Sequence, residues 1–364
     1  MRSSVPIERV SVECYTIPTD QPESDGTYQW DHTTIVIVTI DAGGKQGLGY
    51  TYASSETGDL IQKTLQETIQ GADALSPRGI YMAMWRQVRN LGRPGICSMA
   101  ISAVDCAVWD LKARLLGIPL VTLLGQVRKS ATVYGSGGFT SYTDSRLAQQ
   151  FSNWVEQGIG SVKMKIGRDA HRDIERVRCA RGAIGTEAAL YVDANGAYTA
   201  KQALSQAGKF AEMGVSWFEE PVSSDDLSGL RLIRDRAPAG MDIAAGEYGY
   251  DIFYFNRMLS AGAVDVQQAD ITRCGGITGF LQVAALCQAY NLPLSGHTAP
   301  AQHTHVACAV EMFKNLEYFH DHVRIERMLF DGLPELVNGE LQPDLSRPGN
   351  GLILKHADAQ KFAA

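Results

Sequence analysis

From Ser130 onward the chain keeps one rhythm, in which short apolar strands alternate with helical segments. The strands are "ATVYGSGGF", "SVKMKIG", "ALYVDANG", "SWFEEPV", "DIAAGEY", "AVDVQQADI", "LPLSGHT" and "LEYFH", and seven helical stretches separate the eight of them. Strands joined by crossovers of this length must run parallel, and eight parallel strands close naturally into a barrel. An open doubly wound sheet is the competing topology. Its G-x-G-x-x-G fingerprint is missing at every strand-to-helix junction, and the "GSGG" after the first strand is too short a match.

Residues 1–125 read differently. A strand near Val10 to Thr16 leads into the polar stretch "PTDQPESDGTYQW", expected as a loop, and then into the β-branched run Thr33 to Ile40. "DAGGKQGLGYTY" follows as a hairpin turn and return strand. The helix "ICSMAISAVDCAVWDLKARLLG" places Ile101, Val104, Val108, Leu111 and Leu115 at helical spacing and is stopped at Gly117-Ile118-Pro119. This half is an α+β unit.

The 364 residues, 45% hydrophobic and 20% charged, suffice for a large core. A net charge of -7 without a Lys/Arg-rich block argues against nucleic acid as partner, so an anionic substrate must be met by a local positive site. Seven scattered cysteines without a C-x-x-C pair suggest neither a disulfide framework nor a zinc site, and point to free thiols in a reducing cytoplasm. No apolar leader opens the chain and no apolar run reaches the roughly 20 residues that span a bilayer, so a soluble cytoplasmic protein is expected, with no membrane contact.

In a parallel barrel chemistry sits at the C-terminal ends of the strands, and here most strands end in ionisable groups. Lys163 and Lys165 share the face of their strand opposite Val162, Met164 and Ile166. Asp193 and Asn195 end the third strand, Glu219 and Glu220 the fourth, Glu247 the fifth, Asp270 the sixth, His297 the seventh and Glu317 the eighth. Asp193, Glu219 and Glu247 stand on three consecutive strands, so their carboxylates should converge. Three like charges at one point repel unless a cation or protons sit between them, and an all-oxygen donor set suits Mg²⁺. Glu220 is expected to face outward, held by Pro221.

Lys165 and His297 approach this cluster from opposite sides of the mouth. Asp270 is placed to hydrogen-bond the imidazole and fix its tautomer, and Lys163 is expected to lower the pKa of Lys165. A metal that holds a substrate carboxylate, with a base on each face, specifies removal of the adjacent C–H proton, followed by racemisation, epimerisation or loss of a β-hydroxyl. A metal-dependent hydrolase would want H-x-H on the first barrel strand, which has none.

By these residues the sequence resembles the enolase superfamily and, within it, the mandelate racemase subgroup. The K-x-K motif corresponds to Lys163 and Lys165, the metal ligands to Asp193, Glu219 of "FEEP" and Glu247 of "AGE", the Asp-His dyad to Asp270 and His297, and the carboxylate-binding Glu to Glu317. The resemblance covers the whole chain. It implies an α/β fold, a (β/α)7β modified TIM barrel over 126–325, with an N-terminal α+β capping domain over 1–125 and a C-terminal segment, 326–364, packing back on the cap. It also implies Mg²⁺, a protonated Glu317 opposite the metal, Lys163 at the carboxylate of a small-molecule substrate, and a homo-oligomer, from dimer to octamer. Specificity would come from mobile lid stretches, "DQPESDGTYQWDH" and "TYASSETG", with Trp30, His32, Tyr52 and, in the barrel, Asn195 as substrate contacts. The lids are rich in Ser, Thr, Glu and Asp, which favours a hydroxylated substrate and a sugar-acid dehydratase with His297 as general acid. A racemase, epimerase or cycloisomerase would use the same residues. The remaining histidines, 303, 305, 320 and 322 among them, are assigned to packing or to the surface.

Overall fold

The computed structural model describes residues 4–363. Its first layer is an antiparallel sheet of β1 (Arg9–Ser24), β2 (Gln29–Ala42) and β3 (Lys45–Tyr52) in that order. The stretch expected as a loop after the first strand instead prolongs the hairpin. β1 runs on to Ser24, and beyond a register shift at Pro18 and Glu23 the pairs Glu23–Trp30 and Ser24–Gln29 continue the ladder. The helix Ile96–Leu116 packs across the sheet so closely that a Cβ on Gly47 or Gly49 of β3 would run into the carbonyls of Ala107 or Ala103. Val36, Val38 and Ile40 meet Ala100, Val104, Val108 and Leu111 in that interface.

The barrel strands are β4 (Ala131–Gly137), β5 (Ser161–Lys165), β6 (Ala189–Asp193), β7 (Val215–Glu219), β8 (Asp242–Ala245), β9 (Val266–Ala269), β10 (Leu294–Gly296) and β11 (Phe313–Phe319). They are parallel neighbours in sequence order, and β11 pairs with β4 to close the ring. Seven helices alternate with them among the described residues, as the sequence spacing requires. Several of these helices start on a side-chain cap that satisfies the free N–H groups of the first turn: Thr143, Asp169, Thr199 with Gln202 in a capping box, Asp226 and Asp251.

Alternation along each strand sorts the side chains. Val162, Met164, Leu190, Val192 and Phe218 face the helices, with Phe151, Phe210 and Ile233 among their partners in one large core. Tyr134, Tyr191, Trp217, Ala244 and Val266 instead form a separate packed plug among the buried strand residues. The Tyr191 and Trp217 rings stack 5.1 Å apart, and the buried plug lies beneath the charged layer above.

The sheet of the first layer is tied to the barrel by buried polar bonds. The Gln302 amide brackets Tyr50, donating to its carbonyl and accepting from its N–H at 3.0 Å each. Thr51 Oγ1 donates to the Thr272 carbonyl at 2.8 Å, and Tyr50 Oη to Glu326 Oε1 at 2.6 Å. The helix His320–Leu329 runs unbroken across the boundary expected at 325/326, because Ile325 and Leu329 are needed in the cluster formed by Ile17, Ile35, Tyr50, Leu352, Leu354 and Ala359. No helix among the described residues is long and apolar enough to cross a membrane.

Two predictions follow from this packing. Gly246, just before Glu247, has φ +135, and a Cβ there would collide with the Gln268 carbonyl. Gly246→Ala should therefore destabilise the fold by about 1–3 kcal/mol, read as a lowered melting temperature. Burial raises the Glu326 carboxyl from 4.5 to about 8, so the folded chain binds this proton more tightly than the unfolded chain does. Its contribution to stability is full below about pH 4.5 and is lost as pH rises through about 8. Glu326→Gln should flatten the fall in melting temperature across that window, and parallel slopes for the two proteins would refute the assignment.

Candidate active site

Strand register brings the expected residues together. Lys165 pairs with Asp193 across β5 and β6, and Asp193 with Glu219 across β6 and β7, so the three side chains stand in one row at the C-terminal rim. Glu247 follows the end of β8, Asp270 that of β9 and His297 that of β10, while Glu317 lies within β11. One oxygen from each of Asp193, Glu219 and Glu247 falls within 4.8 Å of the others. Four non-glycine residues at this rim, Asn195, Glu220, Thr298 and Ala299, hold φ between +38 and +53. Backbone strain of this kind persists only where surrounding structure enforces it, and it clusters at functional sites.

The dyad forms as its spacing implied. His297 Nδ1 lies 2.8 Å from Asp270 Oδ2, and Thr272 N and Oγ1 both donate to Asp270 Oδ1 at 2.7 Å, which fixes the carboxylate. His297 Nε2 is 3.1 Å from Glu247 Oε2 and 3.5 Å from Glu317 Oε2. Burial opposes charge on this imidazole, but Glu247, Glu317 and Asp270 outweigh it and raise the pKa to about 10.

Four expectations are corrected at the lysines and glutamates. Lys165 is not depressed: burial works in that direction, but Asp193 at 2.5 Å overrides both it and Lys163 and keeps the ammonium above its ordinary range. Glu317 is not a neutral acid. Burial alone would raise it, yet Lys163 at 2.9 Å, with His297 and Lys165 beyond, holds it at about 2. Lys163 itself, expected at the substrate carboxylate, lies fully buried between Glu219 at 2.5 Å, Glu317 at 2.9 Å and Asp193 at 3.4 Å, and over the Tyr134 ring. Glu220, expected to face outward, is 1% exposed, has a left-handed backbone, and feels the charges of Glu247, Asp193 and Glu219.

Above this layer opens a cavity of about 510 Å³ between barrel and lid. Lys165, Glu247, His297 and Asn195 form part of its floor, and Trp30, His32 and Tyr52 part of its wall, so each candidate contact of the lids reaches it. Trp30 is held by Nε1 donating to Glu23 at 2.9 Å and by an edge contact with Phe139. His32 is exposed and paired with Asp31. The cavity also includes Tyr248, Arg273, Thr298 and Phe319, none of them singled out by sequence, and His322, assigned there to packing or to the surface. Their position at or just beyond the C-terminal ends of β8, β9, β10 and β11, on the functional face, was the available signal. Arg273 reaches within 3.5 Å of Asp270 and 3.8 Å of Glu247, adding a fixed positive charge.

The donor set fits a divalent cation. Six acidic side chains at the rim, Asp193, Glu219, Glu220, Glu247, Asp270 and Glu317, face four basic ones, Lys163, Lys165, Arg273 and His297. The surplus is two charges. Two of the acids are accordingly pushed toward neutrality, Glu219 to about 8 by burial and Asp193, and Glu220 well above its usual range by burial and Glu247. Buried Glu247 Oε2 also lacks a well-aligned hydrogen-bond donor. A divalent ion at the trio would compensate that surplus with oxygen ligands alone.

Comparison with known proteins agrees with this geometry. Residues 146–359 match the family model described as enolase C-terminal domain-like, and residues 12–125 match the mandelate racemase / muconate lactonizing enzyme N-terminal domain. The 3,6-anhydro-alpha-L-galactonate cycloisomerase of Streptomyces coelicolor is 32% identical over 96% of this chain and 97% of its own. A mandelate racemase/muconate lactonizing enzyme-like protein from Rubrobacter xylanophilus superposes with a TM-score of 0.97 at 53% identity, covering 99% of this chain and all of that one. The L-talarate/galactarate dehydratase of Salmonella typhimurium LT2, liganded with Mg and L-lyxarohydroxamate, superposes with a TM-score of 0.91 at 28% identity, over 100% of this chain and 94% of that one.

The charge balance predicts one Mg²⁺ per chain at the trio, measurable by calorimetry on protein stripped with EDTA. Asp193→Asn and Glu219→Gln should each weaken that affinity by at least about tenfold, the loss that removing even an outer partner of a metal ligand brings. Unchanged affinity in both would place the ion elsewhere.

Proposed function

The chain belongs to the mandelate racemase / muconate lactonizing enzyme family, and from that premise we propose a Mg²⁺-dependent enzyme that removes the proton α to the carboxylate of a sugar acid, dehydrating an aldonic or aldaric acid to the 2-keto-3-deoxy acid. The observation that carries the reading is the placement of two titratable side chains on either flank of the carboxylate trio, Lys165 beside Asp193 and His297 beside Glu247, both facing one cavity. Residues 1–125 act in this reading as the cap that closes the cavity, 126–325 as the catalytic barrel and 326–364 as the segment that ties back to the cap. Assembly into a homo-oligomer belongs to the same reading, with the exposed apolar side chains of Leu91, Ile96 and Phe253 as surface available for it.

Held by Asp193, Glu219 and Glu247, Mg²⁺ supplies Lewis-acid withdrawal of charge from the substrate carboxylate. Lys165 Nζ takes the α proton. Its present partner Asp193 is also a ligand of the trio, so ligation competes with the contact that keeps Lys165 protonated. On the other flank Asp270 occupies His297 Nδ1, which leaves Nε2 facing the cavity to deliver its proton to the departing 3-hydroxyl. Loss of that hydroxyl as water leaves an enol, which tautomerises to the 2-keto acid. Lys163 holds Glu317 and Glu219 in place from below, and the aromatic plug lies beneath the charged layer on that side.

A cycloisomerase acting on a sugar acid is the second reading, favoured by the 32% identity to the Streptomyces coelicolor enzyme across both chains. It uses the same two flanks on a cyclic acid: Lys165 takes the α proton, the ring C–O bond at the β carbon breaks, and His297 protonates the ring oxygen that leaves, so the ring opens with no water lost.

Screening open-chain aldonic and aldaric acids beside their anhydro and lactone forms with Mg²⁺ separates the two. A keto product trapped by semicarbazide from the open-chain acids supports dehydration, whereas a keto product formed only from the cyclic acids, with no loss of water, supports the cycloisomerase. Lys165→Ala and His297→Asn should each lower kcat by about 10²–10⁴-fold, the usual worth of a positioned acid or base. Full activity in both variants would overturn the scheme.

A further inference from the structure

His322 was assigned to packing on sequence, yet it lines the cavity with its ring fixed in position and in tautomer. It is the third residue of the helix that follows β11. Its Nδ1 accepts the backbone N–H of Ala299 at 3.3 Å. An amide N–H can only donate, so the lone pair is on Nδ1 and the neutral ring carries its proton on Nε2. Burial lowers this imidazole to about 3, with Asp270 and Glu317 opposing that shift and His297 and Arg273 adding to it, so the ring stays neutral at physiological pH.

The ring cannot turn away. Tyr52 stacks on one face with ring centroids 3.4 Å apart and planes 12° from parallel, and Phe319 meets it edge-on at 5.0 Å and 82°. Among the described residues Nε2 has no acceptor. The stacking partner carries a second unpaired group: Tyr52 is 9% exposed and its Oη is buried without a hydrogen-bond partner. Both residues line the same cavity as Lys165 and His297, on the side formed by β3 and the helix that follows β11. Buried polar groups are almost always paired, and an unpaired buried hydroxyl stacked on a ring whose N–H has no protein acceptor, both lining one cavity, are groups that a ligand completes.

We propose that His322 Nε2 and Tyr52 Oη form a polar subsite that binds an oxygen of the substrate beyond the two reacting carbons, with His322 donating to it, and so selects hydroxylated acids over apolar ones of the same size. The subsite rests on the reading of the cavity as a sugar-acid site. Its physical basis is the asymmetry of hydrogen bonding: an apolar substituent there would leave both groups desolvated and unpaired, whereas a hydroxyl pairs them.

The test compares kcat/KM for a five- or six-carbon aldonic acid with that for 2,3-dihydroxypropanoic acid, which keeps the reacting carbons and lacks the distal hydroxyls. The reaction is read as α-proton exchange from D₂O with Mg²⁺ present. The ratio of the two constants should fall by about ten- to a hundredfold in Tyr52→Phe, which removes only Oη, and in His322→Asn, whose Oδ1 keeps an acceptor for the Ala299 N–H while the shorter side chain puts no donor at the position of Nε2. A merely structural role would lower both constants together and leave the ratio as it was, and that result in both variants overturns the subsite while the reaction stands. Exchange with no acid by the unaltered protein overturns the reaction and the subsite with it.

Discussion

Charge balance at the mouth of the barrel is the constraint on which the rest of the structure depends. Six acidic and four basic side chains occupy the ends of strands whose lower reaches are sealed by Tyr134, Tyr191 and Trp217. Charges buried there persist only when paired, and the pairings run between strands: adjacent ones for Lys165 with Asp193 and His297 with Asp270, next-but-one for Lys163 with Glu219 and Glu317 and for His297 with Glu247. Register therefore does the electrostatic work. A slip of one residue in β5 would turn Lys163 and Lys165 outward into the helices and leave Asp193, Glu219 and Glu317 facing one another. The apolar alternation that places Val162, Met164 and Leu190 under the helices is what forbids that slip.

The cap is held to this barrel by buried polar bonds set within an apolar seam in which Ile17, Ile35 and Tyr50 meet Ala299, Ala301 and Ile325. The Gln302 amide, the Tyr50–Glu326 bond and the Thr51 hydroxyl fix β3 over the end of β10, and this places Tyr52, the last residue of β3, against His322. Directional bonds set position more narrowly than apolar contact does, because each loses its worth when the geometry drifts. The wall of the cavity is thus built from a strand end whose height above the carboxylate trio is set two residues earlier.

Much of this was readable in the sequence. Parallel strands at unit spacing, the three carboxylates one unit apart and the Asp270–His297 pair are statements about period, and period survives folding. What could not be read were the states of the groups. Lys165 and Lys163 look like neighbours that depress one another, but each meets a carboxylate from another strand first, and a partner at 2.5 Å outweighs a like charge one pleat away. Glu317 looks like a candidate neutral acid until Lys163 is found at 2.9 Å. Glu220 follows Glu219 and alternation would turn it outward, but alternation ends where the strand ends, and its backbone adopts a left-handed turn.

The sequence by itself determined the barrel, its catalytic end and the residues that carry charge there, since these follow from local periodicity and from the cost of burying an unpaired ion. Only the tertiary structure decided which of those groups keep their protons, which of them reach the cavity, and that His322 stands in it with Nε2 free. Those properties depend on contacts between residues dozens to hundreds of positions apart, such as Tyr52 with His322 or Lys163 with Glu317, and nothing in the spacing of either partner encodes the distance between them.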